Sequence, residues 1–111
     1  MVDKELVSRK LSRLRGYVDE LRRAEDITWA KYQSDLRAKA FVERYIHLAI
    51  EEVIDIANHL VSFYQWREPT SFRDLFSILE EHDVIPADQL HSFQNMASFR
   101  NVLVHRYESR R

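Results

Sequence analysis

The sequence predicts an all-α protein, and three observations support this prediction. The 111 residues include one glycine and two prolines, so few residues interrupt a helix. Apolar residues recur at spacings of three and four over long segments, as they do on one face of a helix. Hydrophobic residues make up 45% of the chain and charged residues 32%, an ordinary balance for a compact helical protein. We therefore predict one domain, residues 1–111, folded as an up-and-down bundle of four to five helices.

The first predicted helix runs from Asp3 to Arg23, where one apolar stripe alternates spacings of four and three. Gly16 lies inside this helix and weakens it slightly. A connection should follow over residues 25–32, with Ile27 and Trp29 packed against the bundle. The stripe consists of Val7, Leu11, Leu14, Val18 and Leu21.

The second predicted helix is the longest, from Ser34 to Tyr64, with Ser34 as its N-cap. Its apolar residues cover much more than one stripe, because Ile46, Ile50 and Ile54 add to the set that begins with Phe41. Such a helix is either central to the bundle or shared with a second subunit. We expect both, and therefore a homodimer.

Two shorter helices should complete the bundle. Ser71 and Asp74 resemble a capping box at the start of a third helix, predicted over residues 72–82. Pro86 suits the first turn of a fourth helix, which should run from Ala87 to at least Val104.

Composition excludes several classes of protein and site. The chain has no cysteine, which excludes disulfides and thiolate metal sites and fits a reducing cytoplasm. Charges interrupt the first ten residues, so we expect no secretory signal, and no apolar run is long enough for a membrane span. We therefore predict a cytoplasmic protein that does not contact membranes.

The charge balance limits how the protein could meet nucleic acid. Seventeen Lys and Arg are offset by eighteen Asp and Glu, giving a formal net charge of −1. Any contact with nucleic acid must therefore be local. Arg106, Arg110 and Arg111 form a basic end of the sequence, which is either such a local patch or a solvated tail.

Arg100 is the most informative charged residue. On a helical wheel it falls in the middle of the apolar stripe of the fourth predicted helix, beside Phe93, Met96, Ala97 and Leu103. A guanidinium keeps its proton, and leaving it unpaired in a dry core is costly. We expect it to meet a carboxylate, a group of a second subunit, or a phosphate in a cleft.

Asn101, His105 and Tyr107 share one arc of this helix with Arg100, near its C-terminal end. Arginine, asparagine and histidine form a coherent set for a phosphodiester. Arginine holds the anionic oxygens, asparagine orients by hydrogen bonding, and histidine titrates near neutrality and can move a proton.

A purely structural role for these residues is also open. A histidine near a helix C-terminus often complements the helix dipole, and an arginine on an apolar face often pairs with a core carboxylate. Glu51 and Asp55, four residues apart on the second predicted helix, could supply that carboxylate and support Arg100.

Metal and cofactor sites have weaker support. His47, Glu51, Asp55 and His59 are spaced by fours and could form a metal-binding stripe, but charged helix surfaces often contain such series. The sequence has no glycine-rich phosphate loop, no nucleophilic Ser or Cys motif, and no signature of a di-iron bundle. We therefore expect neither a metal nor a cofactor.

The segment RNVLVHRY, Arg100 to Tyr107, resembles the R-x4-H-x-Y form of the HEPN ribonuclease motif. The resemblance extends over nearly the whole chain, in three segments that occur in the family's order. The chain is therefore similar to HepT-like toxins of the HEPN superfamily. The three segments are AFVERYIHLAIEEVIDIANHLV at 40–61, PTSFRDLFSILEEHDVIP at 69–86 and MASFRNVLVHRY at 96–107.

This resemblance implies a HEPN-type bundle and the toxin of a type VII toxin–antitoxin system, paired with an MNT-type nucleotidyltransferase antitoxin. It implies a homodimer that cleaves RNA, either tRNA or mRNA, without a metal. Arg100 and His105 would be catalytic, Asn101 would assist, and the antitoxin would adenylylate Tyr107. Family members usually continue into another helix after this motif, so this domain would lack a final helix.

Two other functions remain open on the sequence alone. The chain could be a noncatalytic HEPN module that binds a nucleotide or a partner protein. It could also be a structural helical subunit in which Arg100 only pairs with Glu51 or Asp55.

Overall fold

The computed structural model describes the backbone of residues 4–108 and the side chains of residues 4–106. It contains five α-helices in this range, and no strand occurs among these residues, which confirms the all-α prediction. The helices are α1 (Lys4–Arg23), α2 (Trp29–Ser34), α3 (Leu36–Tyr64), α4 (Phe72–Glu81) and α5 (Leu90–Glu108), with a short 3₁₀ turn (Ala87–Gln89) before α5. In the described part of the chain, no helix has the length and apolar character that a membrane crossing needs.

The chain forms two compact units, and Lys4–Val53 is the first. A buried carboxylate organises it: Glu43 is 2% exposed and accepts a 2.6 Å hydrogen bond from the Tyr32 hydroxyl. Glu52 is also buried and lies 3.9 Å from the cationic nitrogens of Lys10 and Arg13. Both buried acids thus have polar or cationic neighbours, as burial of a charge requires.

The predictions for residues 25–34 are partly wrong. Residues 29–34 form the helix α2, capped by the Thr28 hydroxyl, where a connection was predicted. Trp29 is 71% exposed and stacks on Tyr32 of the same short helix. Ser34 does not cap α3, because its hydroxyl donates to the Ala30 carbonyl. Asp35 caps α3 instead, since its carboxylate accepts from the backbone N–H groups of the next turn.

The second unit, from Ile54 onward, contains the end of α3 with α4 and α5. Four residues of α4 and two of α5 are buried, and Ile54, Ala57 and Val61 add one stripe of α3 at spacings of three and four. Phe76 at the centre lies 5.3 Å from Phe93, ring centroid to ring centroid. The buried residues of α4 and α5 are Leu75, Phe76, Ile78, Leu79, Ala97 and Leu103.

Polar contacts fix α4 against α5. The Arg73 guanidinium donates to the Gln94 carbonyl at 3.1 Å and to the Ser98 hydroxyl at 2.8 Å. The Gln94 amide donates in return to the Arg73 carbonyl and to the Ser77 hydroxyl. These reciprocal bonds set where the first turn of α4 lies relative to the middle of α5.

The start of α4 confirms the predicted cap. The Ser71 hydroxyl accepts from the backbone N–H of Asp74 at 3.0 Å, and Asp74 accepts in turn from the backbone and hydroxyl of Thr70.

Arg67 binds two carboxylates of α4. It donates to Asp74 through two nitrogens at 2.8 and 2.9 Å, and to Glu81 at 2.6 and 3.2 Å. The hydrogen bonds from Arg67 hold the pKa values of both carboxyl groups below their usual range.

This arginine gives a prediction about stability and pH. A carboxyl group with a lowered pKa in the folded state stabilises the fold above its unfolded pKa of about 4, and this contribution disappears as pH falls through the folded pKa. Arg67→Gln should therefore lower the thermal midpoint at neutral pH, and the gap from wild type should narrow below about pH 4. Circular dichroism melts at several pH values measure this, with Arg23→Gln, which breaks an exposed pair with Glu20, as the control. A gap that stays constant with pH would contradict it.

Candidate functional site

The guanidinium of Arg100 lies at the first turn of α4. It is centred 4.9 Å above the ring of Phe72, and its Nη1 donates to the side-chain oxygen of Asn101 at 3.3 Å. Arg100 is half-buried, in keeping with its predicted place in the apolar stripe between buried Ala97 and Leu103. An aromatic face attracts a guanidinium and holds it flat, so Phe72 orients Arg100.

The contact with Arg100 decides which way the Asn101 amide points. A guanidinium only donates hydrogen bonds, so the oxygen of Asn101 must face Arg100 and its NH₂ group must point elsewhere. Asn101 is exposed and lines a cleft, so it can present those two N–H donors to a ligand. Arginine and asparagine together thus offer donors suited to an anionic oxygen.

His105 is exposed on α5, one turn beyond Asn101. Residues four apart on a helix share a face, at a rise of about 6 Å. The imidazole therefore projects from the same face of α5 as the Asn101 amide, and it can meet a solvent-borne substrate. Arg106, beside it, is half-buried.

Tyr107 lies within α5 by its backbone, seven residues after Arg100. Its side chain falls outside the described residues, as do Arg110 and Arg111, so the predictions on these three side chains stand as made.

A cleft of about 370 Å³ opens beside Phe72 and Asn101, the two residues that contact Arg100. Residues 69–72 at the start of α4 form one wall, with Leu75 from the next turn. Asn58 of α3 and Asn101 of α5 complete the lining. The cleft is therefore polar on the sides of α3 and α5 and partly apolar along α4.

The predicted supporting carboxylates lie in different environments. Glu51 is half-buried and contacts the Nε2 atom of His47 at 3.2 Å, while Asp55 is exposed. Their role in supporting Arg100 stays a prediction. Among residues 4–106, no three His, Asp or Glu side chains come together as a metal-binding group.

The sequence did not predict Phe72 or Asn58 as parts of the site. The cap at Ser71 located the start of α4, but not that this turn packs beside Arg100. Phe72 lies 28 positions before Arg100 in the chain, and no local sequence pattern indicates a contact over that distance.

Comparison with known proteins assigns the family. The sequence profile of the family described as "Ribonuclease HepT-like" matches residues 11–109, most of the chain. The chain belongs to the HepT-like ribonuclease family. This confirms the resemblance drawn from the R-x4-H-x-Y motif, which lies within the match.

Two relatives in the HepT-like family carry nuclease names. The chain is 22% identical over 107 residues to "tRNA nuclease HepT" of Aphanizomenon flos-aquae, spanning 96% of this chain and 73% of that protein. It is 29% identical over 79 residues to "mRNA nuclease HepT" of Shewanella oneidensis, spanning 71% of this chain and 59% of that protein. The chain therefore covers less than two thirds of the second relative's length.

Solved structures confirm the HEPN-type fold. A crystal structure described as a toxin–antitoxin with AMP-PNP superposes with a TM-score of 0.82 at 22% identity, covering 92% of this chain and 76% of that one. The structure of YutE from Bacillus subtilis, described as a cytosolic protein of unknown function, gives 0.77 at 23% identity, covering 96% and 70%. The similarity to both supports the same helical architecture.

Proposed function

We propose that this chain is a ribonuclease toxin whose active site contains Arg100, Asn101 and His105. The observation that carries the proposal is the position of the Arg100 guanidinium, held between the Phe72 ring and the Asn101 amide at the edge of an open cleft. Family membership and the nuclease names of two relatives support the same reaction class.

Each residue has a role that follows from its chemistry. Arg100 binds the non-bridging oxygens of the scissile phosphate, and its preset orientation favours the charge that develops in the transition state. Asn101 adds a neutral donor on the same side. His105 moves the proton, either from the attacking 2′-hydroxyl or to the leaving 5′-oxygen. The products are a 2′,3′-cyclic phosphate and a 5′-hydroxyl.

Cleavage of this kind needs both a base and an acid, whereas one chain offers one motif histidine. A two-fold axis beside α5 would bring two copies of His105 and Arg100 to one groove. Val102, which follows Asn101 on α5, is 51% exposed. An exposed apolar residue at this position is expected of a subunit interface and supports this arrangement. Phe63 and Tyr64 leave further apolar surface at the end of α3.

The dimer gives a direct prediction. Light scattering at micromolar concentration should give twice the mass of one chain. Val102→Asp should shift the equilibrium toward monomer, because it places a charge in an apolar interface. Val84→Asp is the matched control, since Val84 is 45% exposed and lies outside α3 and α5. A wild-type monomer would refute the composite site. An unchanged mass for the Val102 variant would show that the dimer interface does not include Val102.

We further propose that the toxin is neutralised by a nucleotidyltransferase antitoxin of the MNT type, which adenylylates Tyr107. The toxin–antitoxin structure with the same fold supports an antitoxin partner in general. Tyr107 follows Arg100 by seven residues, so its backbone lies on the same face of α5. An adenylyl group there would add a phosphate that competes with RNA for Arg100.

Tyr107→Phe should therefore block adenylylation and escape neutralisation, while cleavage activity stays within a few-fold of wild type. Mass spectrometry after incubation with the cognate nucleotidyltransferase and ATP measures the added adenylyl units. Tyr64→Phe is the control, because Tyr64 is the half-exposed tyrosine at the end of α3. Modification that persists in the Tyr107 variant and disappears in the Tyr64 variant would overturn the assignment.

Cleavage by the purified dimer tests the proposed function itself. Total tRNA and an mRNA transcript, each incubated with the protein in excess EDTA, should show which of the two is cut. Absence of cleavage in both RNAs, with and without divalent ions, would favour a noncatalytic binding module.

A further inference from the structure

The cleft beside Arg100 contains more polar groups than the cleavage step uses. Catalysis employs Asn101 on one wall, whereas Asn58, Thr70 and Ser71 also line the cleft without a role in proton transfer or phosphate binding. Its volume of about 370 Å³ falls within the range of small-molecule sites. The cleft is therefore large enough for one unit of an RNA chain and is open to the strand on either side.

Asn58 is the group best placed to recognise a base. Its amide is exposed in the cleft, and no hydrogen bond from it to another described residue is found in the structure. Its backbone is nevertheless fixed, because Ile54, Ala57 and Val61 on the same part of α3 are buried. An asparagine amide carries donors and an acceptor side by side and can bind the edge of a base through both.

The wall formed by α4 suits the sugar. The Thr70 hydroxyl donates to Asp74 and can still accept, whereas the Ser71 hydroxyl accepts from the Asp74 backbone and can still donate. The two hydroxyls thus offer one acceptor and one donor to ribose hydroxyls. Arg67 neutralises Asp74 behind them, so this carboxylate does not repel a nearby phosphate.

Apolar groups complete a site for a nucleoside. Pro69 and Phe72 line the cleft and can cover a face of a base, while Leu75 is buried beneath them. Phe72 also contacts the Arg100 guanidinium, which is the proposed phosphate-binding group. The apolar side of the cleft therefore adjoins the phosphate-binding group at Phe72. A phosphate bound by Arg100 and Asn101 would therefore bring its attached nucleoside to the cleft.

We infer that this cleft binds the nucleoside next to the scissile phosphate and that Asn58 reads its base. This inference rests on the proposed ribonuclease function and makes Asn58 a specificity-determining residue of that reaction. Asn58 does not take part in proton transfer, so its loss should change which sites are cut more than whether RNA is cut.

The first test compares cleavage of oligoribonucleotides that differ in one base beside the cut site. Wild type should discriminate among the four bases, and Asn58→Ala should reduce that discrimination by about 10- to 100-fold, the range expected for a bidentate base contact. Asn95→Ala is the matched control, because Asn95 is exposed on α5 outside the cleft. Discrimination that survives in the Asn58 variant, or that wild type lacks, would overturn the inference while leaving the ribonuclease proposal in place.

A second test does not depend on cleavage and separates the inference from the proposed function. The four nucleoside monophosphates are titrated into isotope-labelled protein while the side-chain amide signals of asparagine are followed. The signal of Asn58 should shift by an amount that differs among the bases, that of Asn101 should shift with every monophosphate, and that of Asn95 should not shift. Absence of a shift at Asn58 would overturn the inference. Base-dependent shifts without any effect of Asn58→Ala on cleavage would identify a site for free nucleotides and refute the assignment to RNA.

Discussion

Replacing His105 with alanine is expected to lower the rate of RNA cleavage by about 10²–10⁴-fold, the usual cost of removing a general acid or base. In the proposed homodimer the loss should approach the upper end, because the substitution removes both copies of His105 together. The imidazole is exposed, so the fold should survive the substitution. Initial rates on a labelled RNA measure the effect, and growth upon induced expression should report the same loss as relief of toxicity.

His91→Ala is the matched control for this prediction, because His91 is also exposed on α5 but lies at its first turn. It should cleave RNA at the wild-type rate. A His105 variant that retains full activity would remove the proton-transfer role. Equal losses in both variants would indicate a general effect on α5 rather than chemistry at His105.

Replacing Arg100 with alanine should reduce cleavage by about 10²–10³-fold, as expected for removal of one preorganised electrostatic contact to the transition state. Arg100→Lys should recover only part of this activity. Lysine keeps the positive charge but lacks the planar group that stacks on Phe72 and binds two oxygens at once. Full activity of the lysine variant would show that charge alone suffices and that the contact with Phe72 has no catalytic value.

The stability of the Arg100→Ala variant distinguishes the catalytic role from a structural one. Loss of a contact between a guanidinium and an aromatic ring costs about 0.5–2 kcal/mol. Removal of one partner of a buried ion pair costs about 3–5 kcal/mol, because the other charge is left behind. Denaturant unfolding of the variant measures the difference. A cost in the higher range, with residual cleavage, would favour the structural alternative in which Arg100 pairs with a carboxylate.

The helices were predictable because their signals are local. Periodic apolar residues and the cap at Ser71 located α1, α3 and α4 within one or two residues of their observed ends. Errors arose between Trp29 and Asp35, where two neighbouring residues, Ser34 and Asp35, could each cap a helix. Which of the two caps α3 depends on whether α2 forms, and no periodic stripe predicted so short a helix.

The candidate site was predictable only in part. The wheel placed Arg100 on the apolar face and required a partner, but it could not distinguish a carboxylate from an aromatic ring. Phe72 contacts Arg100 because the bonds of Arg73 with Gln94 and Ser98 fix α4 beside α5, and a role of Glu51 or Asp55 stays a prediction. Such contacts join positions more than 20 residues apart, so the cleft and Asn58 could be identified only from the fold.

The chemistry of the product ends tests the central claim most directly. RNA is incubated with the purified protein in excess EDTA, and the fragments are analysed by mass spectrometry and by labelling of their 5′ ends with a kinase. A reaction through the 2′-hydroxyl predicts a 2′,3′-cyclic phosphate on one fragment and a 5′-hydroxyl on the other, with no loss of rate in EDTA. Fragments with 5′-phosphate and 3′-hydroxyl ends, or cleavage that requires a divalent ion, would contradict an active site in which Arg100, Asn101 and His105 perform the reaction without metal.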